Sequence, residues 1–299
     1  MRELIVLVKR DIKVFFKDKG TFFSAMISPL VILVLYITFL AGVYRSSFES
    51  AVPADVYAIL PKKIIEGFVN GWLMSSLLAV CSISVSFIAN LCIVKDRTTG
   101  ASIDFNMTPV KKSTKAIAYY ISTALISLII CYGLLMIGLA YISLNGWYLS
   151  FSDILLIMAD TLLLVLFGTG LSSIICYFLY SQGAISAITT IVSSIYGFIC
   201  GAYMPISQFN GAIQTTIKVL PGTYGTSLLH RHFMQGTLEK LKDYFPIENI
   251  NMIRQNFDID LVVFDHMVSE LTMFLILIAI NVILIGIYVL ITNFVKEKE

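Results

Sequence analysis

Asp160 is the residue whose position most demands a chemical explanation. It sits between Met158-Ala159 and Thr161-Leu162, about two turns into an apolar run that begins near Ile154. An ionisable side chain inside a membrane span is costly and is by default a candidate ion or substrate site. Equally, a carboxylate two turns in could lie near the head groups and reach water. Asn70, Asn90 and Asn281 are milder cases within other apolar runs, where interhelical hydrogen bonding is the expected role.

Other groups that could do chemistry are sparse. The three histidines are His230, His232 and His266, all expected outside the membrane. His230 and His232 lie two apart, which on a helix points them to different faces, so surface or interface positions are expected rather than a metal pair. The five cysteines (Cys81, Cys92, Cys131, Cys176, Cys200) fall within or at the ends of apolar runs with no C-x-x-C spacing, and read as free thiols packed as small apolar residues. No metal site is expected. No G-x-x-x-x-G-K-[ST] phosphate loop, H-E-x-x-H or G-x-S-x-G is present, so the chain carries none of the usual ATP-binding or hydrolytic sets.

The elements that must position these groups are membrane helices. Of 299 residues, 58% are hydrophobic and only 13% charged, with a mean hydropathy of +0.86. That is about half the charge of a soluble domain. Uncharged runs longer than about 18 residues read as spans. Two runs are too long for one span, and each has a break, at Asn145-Gly146-Trp147 and at Ser181-Gln182-Gly183. The outcome is an all-α membrane protein, a single transmembrane domain over 1–299 with six spans at 22–44, 67–94, 116–143, 154–180, 184–204 and 271–294. The first apolar run is too long for a signal peptide core and should remain as an anchor. A formal charge of +2 gives no reason to expect nucleic acid.

Residues 1–20 precede the first span as an amphipathic helix. Leu4, Ile5, Val8, Ile12, Phe15 and Phe16 fall on one face, while Lys9, Arg10, Lys13 and Lys17 fall on another. That pattern fits an interfacial helix with its apolar face in the acyl boundary and its cations on lipid head groups. A plain stop-transfer flank is the alternative. Pro29 in the first span frees a carbonyl and can kink the helix. Basic residues concentrate in the N-terminal stretch, in the 95–115 loop (Lys95, Arg97, Lys111, Lys112, Lys115) and in the tail (Lys296, Lys298). Short basic loops stay in the cytoplasm, so both termini and the 95–115 loop are expected there.

The 95–115 loop reads as a short cytoplasmic helix held between two long spans, with Pro109 stopping it. Residues 205–235 hold two short helical stretches parted by Pro221-Gly222, each too short to span, which fits a re-entrant or interfacial hairpin at the outer surface. Residues 236–269 are polar and form an exoplasmic insert whose fold the sequence does not give.

The assembled pattern resembles the type-2 permease family of ABC exporters. The amphipathic N-terminal helix leads into a span with an early proline. Asp96-Arg97-Thr98-Thr99-Gly100 followed by Thr108-Pro109-Val110 looks like the family's motif after the second span. Met204-Pro205-Ile206-Ser207 with Leu220-Pro221-Gly222-Thr223-Tyr224 is similar to its turn before the last span. The resemblance covers nearly the whole chain. It implies that two such subunits, alike or unlike, pair and that each docks on a separate ATP-binding cassette subunit, which holds the ATP and Mg; this chain itself would hold no cofactor. It implies a coupling helix over 96–108, with Asp96, Arg97, Gly100, Asp104, Phe105, Thr108 and Pro109 as the ATPase contact. It also implies an outer hairpin carrying Pro205, Pro221, Gly222 and Tyr224 that caps the exit path. Thr98 replaces a common second acid, and the 236–269 insert exceeds the family's usual outer segment. The expected function is therefore the transmembrane subunit of an ATP-driven exporter in a bacterial cytoplasmic membrane. The rival class is an ion-coupled secondary transporter or channel using Asp160, although matching broken helices in the two halves, the usual mark of such carriers, are lacking. A membrane enzyme is disfavoured by the missing catalytic sets.

Overall fold

A computed structural model describes residues 2–52, 57–102, 107–264 and 266–294 of the chain. Helix dominates, as the composition requires: a backbone in an apolar medium must satisfy its own hydrogen bonds. Five helical segments are long and apolar enough to cross a membrane, namely Lys19–Ser50, Lys62–Thr98, Lys112–Asn145, Phe151–Tyr177 and Glu270–Phe294. This protein is a multi-pass α-helical membrane protein. The expected run over 184–204 forms a helix only to Ile199, and it is shorter than the other five.

Helix α1 (Arg2–Lys17) is amphipathic, with Val8, Asp11 and Phe15 buried on one stripe and Lys9, Lys13 and Lys17 exposed. The stripe faces protein rather than only acyl chains. Phe15 packs with Ala25, Val85, Ala89, Ile126 and Ile130, with Ile12 and Phe16 beside it, while Ile5 and Val6 stay exposed. Asp18 then caps α2 (Lys19–Leu35), accepting from the Thr21 amide at 3.3 Å and the Thr21 hydroxyl at 3.0 Å. Pro29 lies inside α2, but the departure from α geometry comes about two turns later, at a π-helical turn over Tyr36–Leu40 that leads into α3 (Ala41–Ala51).

Helix α4 (Lys62–Ala89) is the axis of the fold. Its most apolar window is 89% buried, against 17% for the last helix, so α4 is enclosed by protein while the last helix leaves most of its surface uncovered by the rest of the chain. Small residues allow the enclosure. A Cβ on Gly71 would stand 3.0 Å from the Phe233 carbonyl oxygen, and one on Gly67 2.9 Å from the Tyr148 ring. Asn90 ends α4 and passes the chain to α5 (Leu91–Thr98). Its amide donates to Ser172 at 2.7 Å and Ser173 at 3.1 Å and accepts from Thr123 at 3.1 Å, the interhelical role expected of it. Asn281 likewise donates to the Leu163 carbonyl at 3.1 Å. Asn70, buried, has no partner for either amide atom among the described residues.

Both expected breaks are present. Helix α6 (Lys112–Asn145) stops at Gly146, whose φ of 152° and proximity to the Lys63 carbonyl oxygen (2.7 Å from a Cβ position) exclude a side chain. Helix α7 (Phe151–Tyr177) starts with a capping box in which Ser150 and Asp153 satisfy each other's amides at 2.8 and 3.2 Å. Ser181 caps α8 (Gln182–Ile199). Gly201, at φ 76°, then turns the backbone towards a 3-10 turn at Ile206–Gln208, which is why the helix ends before residue 204.

Two helices follow, α9 (Gly211–Val219) and α10 (Pro221–Leu241), with Leu220 in extended backbone between them and Pro221 at the first position of α10. Residues 236–264 and 266–269 complete α10, then form α11 (Ile247–Asn256) and a pairing of β1 (Val262–Val263) with β2 (His266–Met267). Helix α12 (Glu270–Phe294) closes the fold against α7 and α10. The membrane-crossing helices define two ends. The N-terminal side carries α1, α5 and the start of α6; the far side carries the α6–α7 turn, α11, the β-hairpin and Glu270.

Candidate functional site

Two buried ionic clusters lie at opposite ends of the bundle. On the N-terminal side, Arg10 of α1 reaches Asp96 of α5, with Nη2 at 2.7 Å from Oδ1 and Nη1 bonded to Oδ2. Nη1 also donates to Asp11 at 2.9 Å. Tyr119 of α6 donates to Asp96 at 2.7 Å, and Ser122 donates to Asp11 at 3.3 Å. Asp11, Cys92 and Asp96 are grouped closely enough to hold a cation, and the Arg10 guanidinium bonds both carboxylates of that group. The hydrogen bond to Asp96 holds the guanidinium protonated well above its ordinary range. Burial pushes the Asp11 carboxyl up to about 6 against the pull of Arg10. Beside this cluster Lys95 donates to Asp18 at 2.7 Å, and that bond draws the Asp18 carboxyl down to about 2.

The sequence-selected loop residues divide accordingly. Asp96 is buried and points inward to α1 and α6. Arg97 also points inward: its guanidinium donates to the carbonyls of Cys176, Tyr177 and Leu179 at 2.9–3.2 Å and lies over the Tyr177 ring. It thereby satisfies carbonyls that the end of α7 leaves open. Gly100 has a φ of +79°, with open space where a Cβ would be. Met107 is among the most exposed apolar residues of the protein, and Thr108 and Pro109 are exposed beside it. Asp104 and Phe105 lie outside the described residues. Of the interfacial cations, Arg10 joins the cluster, whereas Lys9, Lys13 and Lys17 remain at the surface.

At the far side, Asp160 of α7 is fully buried. Its Oδ2 lies 2.5 Å from His232 Nδ1 of α10, and the other ring nitrogen lies 3.2 Å from Glu270 Oε1 at the start of α12. Arg231 continues the series, 3.6 Å from Glu270 and 2.5 Å from Asp260, which Arg254 also grips at 2.6 and 2.8 Å. Burial raises the Asp260 carboxyl, but these two guanidinium groups outweigh it and hold it below its usual range. Asp258, in a left-handed backbone at φ 55°, accepts from the Ile206 amide at 2.6 Å, and burial raises it to about 7.

His230 and His232 do point to different faces, as the two-residue spacing requires. The expectation of surface positions is corrected: both are buried, because α10 is covered on both faces. His230 stacks on Trp72 at 4.9 Å and meets Ser76 at 3.2 Å on α4, while His232 faces α7. Along α10, Gly225 approaches Leu164, and Gly236 approaches Tyr148 so closely that a Cβ would stand 1.8 Å from its carbonyl oxygen. Gly222 and Tyr224 are buried near the start of the helix, with the Tyr196 ring against Gly222. Pro205 is buried before the 3-10 turn. Where α9 leaves α8, Phe198, Ile199, Phe209, Ala212 and Ile213 line an open apolar groove of about 380 Å³. The role of His232 was hidden in the sequence, since its partner is 72 residues away. The signal that could have found it is an acid in an apolar run matched by a histidine in a helix too polar to span.

The architecture is that of a multi-pass membrane permease: crossing helices, an amphipathic helix docked on one side and a broken helical pair on the other. The family model described as ABC-2 type transporter matches residues 2–233, more than three quarters of the chain, and the chain belongs to that family. Among curated proteins none matches it.

Proposed function

We propose that this chain is the membrane subunit of an ATP-driven exporter, pairing with a second permease subunit and docking on a separate ATP-binding cassette subunit that binds ATP and Mg. The observation that carries this reading is the mechanical tie at the loop between α4 and α6. Asp96 joins it to α1 and α6, and Arg97 joins it to the end of α7. A push on the exposed tip at Met107–Pro109 therefore moves several helices together. The family's working partner, an ATP-binding subunit, fits that tip. In this reading Asp96 and Arg97 transmit force, while Gly100, Asp104, Phe105, Thr108 and Pro109 make or shape the contact.

Helix α8 serves as a sixth span, short but apolar, which returns both termini to the cytoplasmic side of a bacterial membrane. The far side is then the outer one. Packing of Gly225 beside Leu164, roughly 20 Å along α7 from its start, supports a re-entrant α9–α10 pair that caps the exit. The apolar groove beside α9 suits an amphipathic cargo leaving sideways.

The test is co-purification from the native membrane in gentle detergent. A stoichiometric partner with a Gly-rich phosphate loop is expected. Gly100→Val, strained at φ +79°, should insert normally yet lose most cargo-stimulated ATPase activity. Full transport by a well-expressed Gly100→Val protein would overturn the coupling role. A second reading, a carrier driven by an ion, draws support from the link of Asp160 to the far side through His232 and Glu270. Transport in ATP-free liposomes by the chain purified alone would favour it.

A further inference from the structure

Asp160, His232 and Glu270 come from three helices distant in sequence, yet they form a continuous hydrogen-bonded chain. One end is a carboxyl fully enclosed in the bundle, roughly 13 Å along α7 from its start. The other is Glu270, whose side chain is 41% exposed on the far side. Asp160 Oδ2 meets His232, but Oδ1 has no hydrogen-bond partner among the described residues. An ionised carboxylate with an unanswered oxygen in an apolar interior is the costly state, and a proton relieves that cost.

The ring of His232 presents one nitrogen to each carboxyl group, the arrangement in which an imidazole passes a proton by exchanging tautomers. The charged and titratable groups around it are Asp160 from α7, Glu270 from α12 and Arg231 on α10 itself, the last turned to Glu270 and Asp260. Phe274 of α12 lies beside the ring at 6.2 Å, and His230 points away to Trp72 and Ser76 of α4.

We propose that these residues form a proton-binding site with its entrance on the far side, in which Asp160 takes up a proton that arrives through Glu270 and His232. In the unloaded state the His232 Nδ1–H donates to the Asp160 carboxylate, and the bare Nε2 lies 3.2 Å from the Glu270 carboxylate with no proton between them. A proton from water binds Glu270 and moves to Nε2, giving an imidazolium. The imidazolium releases its Nδ1 proton to Asp160 Oδ2. Asp160 ends as a neutral acid, His232 as the Nε2–H tautomer donating back to Glu270, and Glu270 as a carboxylate again. One proton enters and one resides on Asp160. Loading replaces a charge-assisted bond between α7 and α10 by a neutral one, so proton occupancy and the seating of α10 are linked.

The full-length protein in lipid vesicles tests this by infrared difference spectroscopy while the buffer on the Glu270 side is acidified. In an Asp258→Asn background, which removes the other far-side aspartate that takes up a proton in this range, a protonated-carboxyl band should appear, shift on labelling with carboxyl-¹³C aspartate, and be absent once Asp160→Asn is added. In His232→Gln, which keeps a hydrogen-bonding side chain but no transferable ring proton, the band should build about a hundredfold more slowly. With Asp258 removed and Asp160 intact, the isotope shift assigns the band to a remaining aspartate, and its slowing in His232→Gln ties it to Asp160 even if Asp160→Asn folds poorly. Absence of an aspartate-labelled band, or its persistence in Asp160→Asn, overturns the site. An unchanged rate in His232→Gln overturns the path. Neither ATPase nor cargo is needed, so failure here is separable from failure of the exporter reading.

Discussion

On the N-terminal side, Asp96 and Asp11 are answered by Arg10, a group that stays charged at any physiological pH, and Tyr119 and Ser122 complete the set. On the far side, Asp160 is answered by His232, whose charge is conditional, and one carboxylate oxygen is left without a partner among the described residues. The first cluster is a fixed joint. It fastens the amphipathic helix and the α5 loop to the bundle, as a force-bearing corner requires. The second is a joint whose strength depends on a proton. A buried ion pair is poor evidence of stability for its own sake, so the difference between the two points to different tasks.

Removing the permanent cation should have the largest effect. Arg10→Ala leaves two buried carboxylates without their counter-charge and should destabilise the protein by about 3 kcal/mol, lowering the midpoint of thermal unfolding in detergent. Arg10→Lys should recover only part, because an ammonium lacks the two-pronged geometry. Gly236→Ala comes next. With a Cβ position 1.8 Å from the Tyr148 carbonyl oxygen, the substitution must push α10 off the α6–α7 turn, at about 1–3 kcal/mol. It disturbs the far-side cluster without touching its charges, and hydrogen exchange should show α10 loosened while α1 stays protected.

A double-mutant cycle on Asp160→Asn and His232→Gln should return a coupling of about 1–2 kcal/mol. A value near zero would remove the contrast. The smallest effect concerns Asp258. Its carboxyl is raised from 3.8 to about 7 in the fold, so the folded state binds the extra proton. The associated stability is fully present below pH 3.8 and is lost as pH rises through about 7. Between pH 7 and 6 the far-side elements should gain about 1 kcal/mol, a gain that Asp258→Asn abolishes in exchange-based stability measurements. On the N-terminal side Asp11, raised to about 6, is only half protonated at the lower end of that interval and gains less.

Local signals in the sequence were legible. Asn145-Gly146 ends α6 because only glycine fits beside the Lys63 carbonyl, and Ser181 starts α8 by capping it. Both depend on a few adjacent residues. The acid at Asp160 was legible as a cost, because a charge in an apolar run stands out against its neighbours. Its partner was not, since no periodicity relates α7 to α10. The inward aim of Asp96 and Arg97 was hidden for the same reason. A charged loop between spans looks solvated until the docking of α1 and the end of α7 are known. The histidine pair shows the boundary well: spacing fixed their divergence, but only tertiary packing decided that both directions lead into protein. The seating of α11 and the residues just after it follows from contacts of the same kind, with the Phe257 ring against Phe68 and its carbonyl 3.4 Å from Trp72 Nε1.

Trp72 is one of only two tryptophans in the chain, and it is fully buried. It lies 4.1 Å from the Tyr44 ring and 4.9 Å from His230. An indole emits at shorter wavelength in a dry apolar site than in water, and Trp72 keeps its contact with His230 only while α10 is seated on α4. The protein thus carries its own optical gauge. With Trp147 replaced by phenylalanine, emission from Trp72 would move to longer wavelength whenever α10 lifts, and could be followed through a turnover cycle without attaching any label.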